Sequence, residues 1–243
     1  MKKIKLSVIV PCYNEEKRFK NGFNHFHNYL KKIKFNWELI LVNDGSKDKT
    51  LNLMRKESKR HKNVKVITYP INGGKGLAIS EGVKAAKGEI ILFSDIDHSV
   101  DISTINSFFK HFNKAEVVIG SRRLKNSKII EKQKPLRELL GKGFTLLVKI
   151  LIDKQIKDAT CGFKAFKREA AKELFKKVSI YGWAFDAEIL YLCKKYKIKV
   201  IQAPVDWKDV KGSKVSLTKD IASSLFGLLQ IRLNDFNNKY RKI

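Results

Sequence analysis

Acidic residues are scarce in this chain: 24 aspartates and glutamates stand against 51 lysines and arginines among 243 residues, a formal net charge of +27. Cysteine is scarcer still. Cys12, Cys161 and Cys193 lie far apart and form no C-x-x-C pair, which excludes a disulfide framework or a zinc ribbon and suits a reducing compartment. Four prolines and 14 glycines exclude collagen-like and low-complexity chains. No uncharged apolar run approaches the roughly 18 residues that a bilayer crossing needs. The run Leu6 to Val10 behind the basic start is stopped by Pro11, so no signal peptide is expected either.

What is present is an apolar fraction of 43%, enough for a packed core. The cationic excess points to nucleic acid, an anionic membrane or a phosphate-rich substrate. A blander source is lysine background, since 42 of the 51 cations are lysine. A nucleic-acid-binding module is disfavoured, because no helix-turn-helix, zinc-finger or RNP signature accompanies the charge.

Strand and helix signals alternate along the first half. Apolar runs at Lys5–Val10, Glu38–Val42, Val64–Tyr69, Ile90–Ser94 and Ala115–Gly120 read as strands. Between them, Glu15–Ile33, Thr50–His61, Gly76–Ala86 and Ile102–Phe112 read as helices. Strands that are apolar throughout, separated by helices, predict a mostly parallel α/β sheet covered on both faces. Amphipathic segments follow at Leu139–Ile152 and, C-terminally, Leu217–Leu233. No linker separates domains. A single domain over 1–243 is expected, with halves at 1–120 and 121–215 and an amphipathic segment at 216–243.

Ligands of such sheets bind at the carboxyl ends of the strands. That rim collects Asp44, Asp95, Asp97, Ser121 and Arg122. Asp95-Ile96-Asp97 is the strongest chemical candidate, because its alternate carboxylates offer hard oxygen ligands for Mg²⁺ or Mn²⁺. A turn with capping aspartates is the competing structural reading. Asp44 is placed to accept hydrogen bonds from a nucleobase or ribose, or serves a turn with Gly45. Asn72-Gly73-Gly74-Lys75-Gly76 offers a backbone nest with a lysine for phosphate, without Walker spacing.

These residues resemble the family 2 glycosyltransferases. The resemblance rests on Val8-Ile9-Val10-Pro11-Cys12-Tyr13-Asn14-Glu15-Glu16, Val42-Asn43-Asp44-Gly45-Ser46, Gly74-Lys75-Gly76 and Asp95-Ile96-Asp97, in the family's order and spacing. Asn43 replaces the first acid of the usual V-D-D-G-S. Gly120-Ser121-Arg122, Asp158-Ala159-Thr160-Cys161-Gly162-Phe163-Lys164, Trp183-Ala184-Phe185-Asp186-Ala187-Glu188 and Gly212-Ser213-Lys214-Val215 are similar to the polyprenyl-phosphate branch. Within it they look most like the dolichyl-phosphate glucosyltransferases, with mannosyl enzymes close. The Q-x-x-R-W motif of polymerising members is absent. The resemblance implies a GT-A fold, an inverting transfer and a nucleoside pocket lined by Pro11, Tyr13, Glu15, Asp44 and Lys75. It places Asp95 on the ribose or metal side, Asp97 on the metal, and Ser99 where relatives carry a further ligand.

A lipid phosphate acceptor needs cations rather than a general base, because its oxygen is already anionic. Arg122, Arg123, Arg137, Lys164, Lys211 and Lys214 are the candidates. Arginine's fork suits phosphate oxygens. Trp183 is a pocket wall or core. Asp186 positions the sugar, acts as a base towards a hydroxyl acceptor, or pairs structurally with a cation. The expected reaction moves a hexose, glucose from UDP-glucose before mannose from GDP-mannose, to a polyprenyl or dolichyl phosphate. The expected location is peripheral, at the cytoplasmic face of a membrane. Transfer to a glycan or protein hydroxyl, and nucleotidyl transfer, are the rival reactions.

Overall fold

The computed structural model describes residues 3–133, 135–210 and 219–241. Lys211, Lys214 and the Gly212–Val215 motif lie outside the described residues. Seven strands form one sheet in the order β3-β2-β1-β4-β7-β5-β8: β1 (Leu6–Cys12), β2 (Trp37–Asp44), β3 (Val64–Tyr69), β4 (Ile90–Ser94), β5 (Val117–Ser121), β7 (Phe163–Lys167) and β8 (Val200–Pro204). β7 runs antiparallel to its neighbours β4 and β5, while the remaining pairs are parallel. A small second sheet pairs β6 (Lys128–Glu131) with β9 (Asp206–Lys208). The expected halves thus share one sheet, joined where β7 is inserted between β4 and β5.

The central strands β1, β2 and β4 are almost wholly apolar and buried because both faces of the sheet are covered there. Leu6, Val8 and Val10 of β1 pack with Phe19, Phe23, Phe26 and Leu30 of α1 (Glu16–Leu30) on one face. Ile9 points to the other face, towards Ile79 and Val83 of α3 (Lys75–Ala85). The α1 phenylalanines recur at helical spacing, which gives the helix its buried stripe. On the first face lie also α2 (Thr50–Arg60), through Met54, and α4 (Ile105–Phe109). The opposite face carries α3, α5 (Pro135–Leu151), α6 (Arg168–Phe175), α7 (Phe185–Lys195) and α8 (Lys219–Phe236).

One expected helix is cut short. Asp101 caps a single 3-10 turn at Ile102–Thr104 through the Ser103 N–H, and α4 ends at Phe109. The next N–H groups, of His111 and Phe112, bond three residues back to Phe108 and Phe109. That tighter pattern recurs at Lys114, which bonds back to His111, before the Ala115 N–H returns to a four-residue reach. The strands β6, β7 and β9 and the helices α6 and α7 extend the pattern read from sequence.

Candidate active site

The rim at the carboxyl ends of β1, β2 and β4 gathers Asp44, Lys75, Asp95 and Asp97. Two loops build one side of this rim, and they are laced together. The Asn14 N–H donates to the Ser46 hydroxyl at 2.9 Å, and the Glu15 N–H to the Thr50 hydroxyl at 2.7 Å. The Glu16 and Thr50 N–H groups share Asp48. Asn43, standing where the family has an acid, donates to the Thr68 hydroxyl at 3.0 Å. Pro11 and Tyr13 are half-buried at the mouth of β1. Glu15 is gripped by both arms of Arg18 at 2.8 Å each. Burial opposes the charge on Arg18, but the hydrogen bond to Glu15 dominates and raises its pKa, with Asp97 and Asp95 adding to the effect. Arg18 was missed from the sequence; its spacing of three from Glu15 on a helix is the signal that was available.

Asp44 is buried and is the anchor of the phosphate-loop candidate. Its carboxylate accepts from the Tyr69 hydroxyl (2.8 Å), Asn72 Nδ2 (2.8 Å), the Gly73 N–H (2.7 Å) and the Gly74 N–H (3.1 Å). Four donors on one carboxylate pin the loop that leads into Lys75. Gly74 takes φ 91, a left-handed conformation that favours glycine. A cleft of about 310 Å³ opens beside this anchor, lined by Asn43, Gly45, Ser46, Arg55, Thr68 and Tyr69. A larger cleft of about 660 Å³ lies at the opposite ends of β5 and β8, among Lys114, Glu116, Lys197 and Lys199, away from the acidic rim.

Lys75 and Asp95 form an ion pair at 2.5 Å. Burial alone would lower the Lys75 pKa, but Asp95 and Asp186 outweigh it and the pKa is raised, so the side chain is a fixed cation. Asp97 Oδ1 accepts from the Ser99 N–H at 3.0 Å and the Ser99 hydroxyl at 2.8 Å. Ser99 therefore serves Asp97 as a hydrogen-bonding partner. No cluster of three or more His, Cys, Asp or Glu suited to a metal exists among the described residues. Two carboxylates nevertheless fit a hard divalent ion whose remaining ligands are substrate phosphates and water. The space is also kept open by Gly162, where a Cβ would meet Asp95 Oδ2 at 2.1 Å.

On the other side of the rim, the structure revises the sequence reading. Arg122 binds buried Asp158 through Nε at 2.7 Å and Nη2 at 2.8 Å, and Nη2 also reaches the Thr160 hydroxyl at 2.8 Å. Its guanidinium stacks 5.4 Å from the Trp207 ring. Burial disfavours the Asp158 carboxylate, yet Arg122 holds its pKa far below the ordinary range. Trp207 of β9 bridges to Val100, and the Lys208 N–H bonds Ser99 O at 3.0 Å. Arg122 is thereby tied to the Asp97 loop.

Lys164, expected to meet the acceptor, is corrected. It is fully buried, and its ammonium donates to Ala159 O (3.0 Å), Cys161 O (2.7 Å) and Asp186 Oδ1 (2.5 Å). All three donors are consumed inside the protein. Asp186 is its structural partner; burial raises the Asp186 pKa, offset in part by Lys164 and Lys75. Asp95, Lys75, Asp186 and Lys164 thus form a row of alternating charge running from the rim into the core. Arg137 stands at the start of α5, 3.5 Å from Asp209. Trp183 is 38% exposed just before α7, which excludes the core reading.

A mostly parallel sheet in the order β3-β2-β1-β4-β7-β5-β8, with an acidic pair after β4 and a lysine at the first turn of α3, is a GT-A-type fold. The family model for glycosyl transferase family 2 matches residues 7–175, and the chain belongs to that family. It is 37% identical to the dolichyl-phosphate beta-glucosyltransferase of Homo sapiens, over 86% of this chain and 69% of that one. It is 36% identical to the enzyme of that name from Dictyostelium discoideum, over 93% and 75%, and 32% identical to that of Saccharomyces cerevisiae, over 97% and 76%. Among solved structures, glucosyl-3-phosphoglycerate synthase from Mycobacterium tuberculosis with Mn²⁺, UDP-glucose and phosphoglyceric acid superposes with a TM-score of 0.69 at 16% identity. That superposition covers 94% of this chain and 79% of that one.

Proposed function

We propose that this glycosyltransferase moves glucose from UDP-glucose to a dolichyl or related polyprenyl phosphate, with inversion, at a membrane surface. The observation that carries the reading is the similarity over nearly the whole chain to enzymes named dolichyl-phosphate beta-glucosyltransferase. In the transfer, an acceptor phosphate oxygen attacks the anomeric carbon. The new carbon–oxygen bond forms as the bond to the donor diphosphate breaks, and UDP leaves. No side chain has to remove a proton, because the attacking oxygen is already anionic. Lys75 stands at the first turn of α3, where its charge and the helix N-terminus both favour a diphosphate. Asp95 and Asp97 would hold Mg²⁺ or Mn²⁺, which supplies charge neutralisation on the leaving diphosphate. Pro11, Tyr13 and Glu15 line the nucleoside side, with Asp44 anchoring the loop that carries Lys75. Arg122, Trp183 and Arg137 are assigned to the acceptor side on their places in the fold, and Lys214, outside the described residues, on the sequence alone.

The lipid face is built by α5 and α8, which pack together. Leu136, Leu139, Leu146 and Ile150 of α5 are exposed, while Thr145 and Val148 face inward. Leu225, Phe226, Leu229, Leu233 and Phe236 are exposed on α8. No helix among the described residues is long and apolar enough to cross a membrane. Apolar stripes flanked by Lys142, Lys149 and Lys154 suit a helix pair lying in the headgroup region of an anionic membrane, on its cytoplasmic side.

The test is direct. Purified protein is given labelled UDP-glucose, Mn²⁺ and a polyprenyl phosphate in detergent, with GDP-mannose and other nucleotide sugars in parallel. Label that moves into organic solvent only with UDP-glucose and lipid phosphate is the expected result. Folded protein that transfers no label from any nucleotide sugar overturns the reading.

A further inference from the structure

Glu188 lies in the first turn of α7, fully buried, and has no part in the transfer described above. Its carboxylate accepts from the Ser179 N–H (3.1 Å), the Ser179 hydroxyl (2.8 Å), the Ile180 N–H (2.9 Å) and the Tyr240 hydroxyl (2.5 Å). A buried carboxylate is tolerated when its oxygens are this fully partnered. What these donors fix is the connection between α6 and α7. Its next residue, Tyr181, accepts the Gly76 N–H through its carbonyl at 2.9 Å. The fit is close: a Cβ at Gly74 would stand 2.6 Å from that carbonyl oxygen. α3 has no side-chain cap of its own, so Tyr181 supplies the acceptor that its first turn needs. Lys75 sits between the two glycines, and Phe185, on the same helix as Glu188, presents its ring 6.0 Å from the ammonium.

The same carboxylate is approached from α8. Asn234 donates to the Ser179 hydroxyl at 3.0 Å and to the Tyr240 hydroxyl at 3.1 Å, and Tyr240 is itself fully buried. Gly227 of α8 adds a close contact, its absent Cβ leaving room for Ala184. We propose that Glu188 is a positioning residue for the donor site: it pins residues 179–181 beneath the first turn of α3, sets the place of the Lys75 ammonium, and ties that placement to the C-terminal helix through Tyr240 and Asn234. The inference rests on reading Lys75 as the lysine of the donor diphosphate.

Two variants test it, Glu188→Gln and Tyr240→Phe. Glutamine keeps the shape but offers one acceptor oxygen to backbone N–H groups that now have two. The first readout needs no ligand. Hydrogen exchange at the Gly76 amide speeds up in both variants, more in Glu188→Gln, while amides of β1 and β2 keep their protection. The second readout is the dissociation constant of UDP with Mn²⁺ by calorimetry. It rises about tenfold in Glu188→Gln, the order expected for one lost hydrogen bond to a charged group, while KM for the lipid phosphate is unchanged. A merely structural role lowers the unfolding temperature and leaves both readouts where they were. Unaltered Gly76 exchange in folded Glu188→Gln overturns the proposal, and Tyr240→Phe decides by the same criterion where the first variant does not fold. Faster Gly76 exchange in a protein whose wild type binds no UDP supports the positioning role and removes the donor reading of Lys75.

Discussion

The Lys75 ammonium lies 2.5 Å from the Asp95 carboxylate, and the Gly162 backbone closes over the pair with no room for a side chain. On the proposed function, a donor diphosphate and its cation share this place with both residues. Gly162→Ala forces Asp95 aside, because the added Cβ would fall 2.1 Å from Oδ2. Displacements of this size cost about a hundredfold in rate when they disturb reacting geometry. Glucosyl transfer is therefore expected to fall by about that factor in Gly162→Ala, with the circular dichroism spectrum unchanged. Asp97→Ala is expected to lose as much or more, and retained transfer in that variant would remove the metal role assigned to it.

Lys164 and Asp186 are both buried, at 0% and 5% exposure. Removing one partner leaves an uncompensated charge in the core. Lys164→Met is expected to lose about 3–5 kcal/mol of stability, measured by urea denaturation. Replacing both, as Lys164→Met with Asp186→Leu, should recover much of that loss, since a buried ion pair contributes little beyond its apolar equivalent. A single variant as stable as the parent would contradict the pairing.

Acid sensitivity follows from the histidines. The rings of His27 and His61 meet at 4.0 Å between α1 and the end of α2. Burial first, then His61 and Lys31, lower the His27 pKa from its usual 6.5. Burial likewise lowers His25 and His98. A group with a lowered folded pKa binds its proton more readily in the unfolded chain. Stability is then full above about pH 6.5 and declines as the pH drops through that value towards the lower folded ones. Differential scanning at about pH 7.5, 6.5 and 5.5 should show a falling Tm, with a shallower fall in His27→Gln.

The exposed apolar stripes allow the proposed membrane docking to be tested apart from folding. Leu146 and Phe226 are 58% and 65% exposed, so charging them does not touch the core. Leu146→Glu with Phe226→Glu should leave Tm within about one degree and abolish co-sedimentation with vesicles containing anionic lipid. Transfer to a short, water-soluble polyprenyl phosphate should survive. Undiminished vesicle binding would assign the membrane face elsewhere.

Much of the fold was legible in sequence because β1, β2 and β4 are largely apolar runs with punctuation after each, and β3 is rich in β-branched residues. The acidic rim was legible for the same reason: Asp44, Asp95 and Asp97 directly follow strands, and strand ends in a parallel sheet share one edge. β7 was not legible. Phe163-Lys164-Ala165-Phe166-Lys167 alternates like a half-exposed edge strand, yet it lies between β4 and β5 with Lys164 inside. α7 escaped because Phe185 to Cys193 is buried on all sides and shows no helical stripe.

The sequence by itself determined the alternation of strands and helices, the two-sided burial of the sheet and the position of the acidic rim, because each follows from local hydrophobic period and chain punctuation. Tertiary structure alone decided which charges stay at the rim and which are buried against each other. Lys164, Asp158, Asp186 and Glu188 look like site residues in a linear reading. Their roles depend on partners 22, 36, 22 and 52 residues away in sequence. A charged side chain can be buried only where an opposite charge or a set of donors is brought to it, and that meeting is a property of the folded chain.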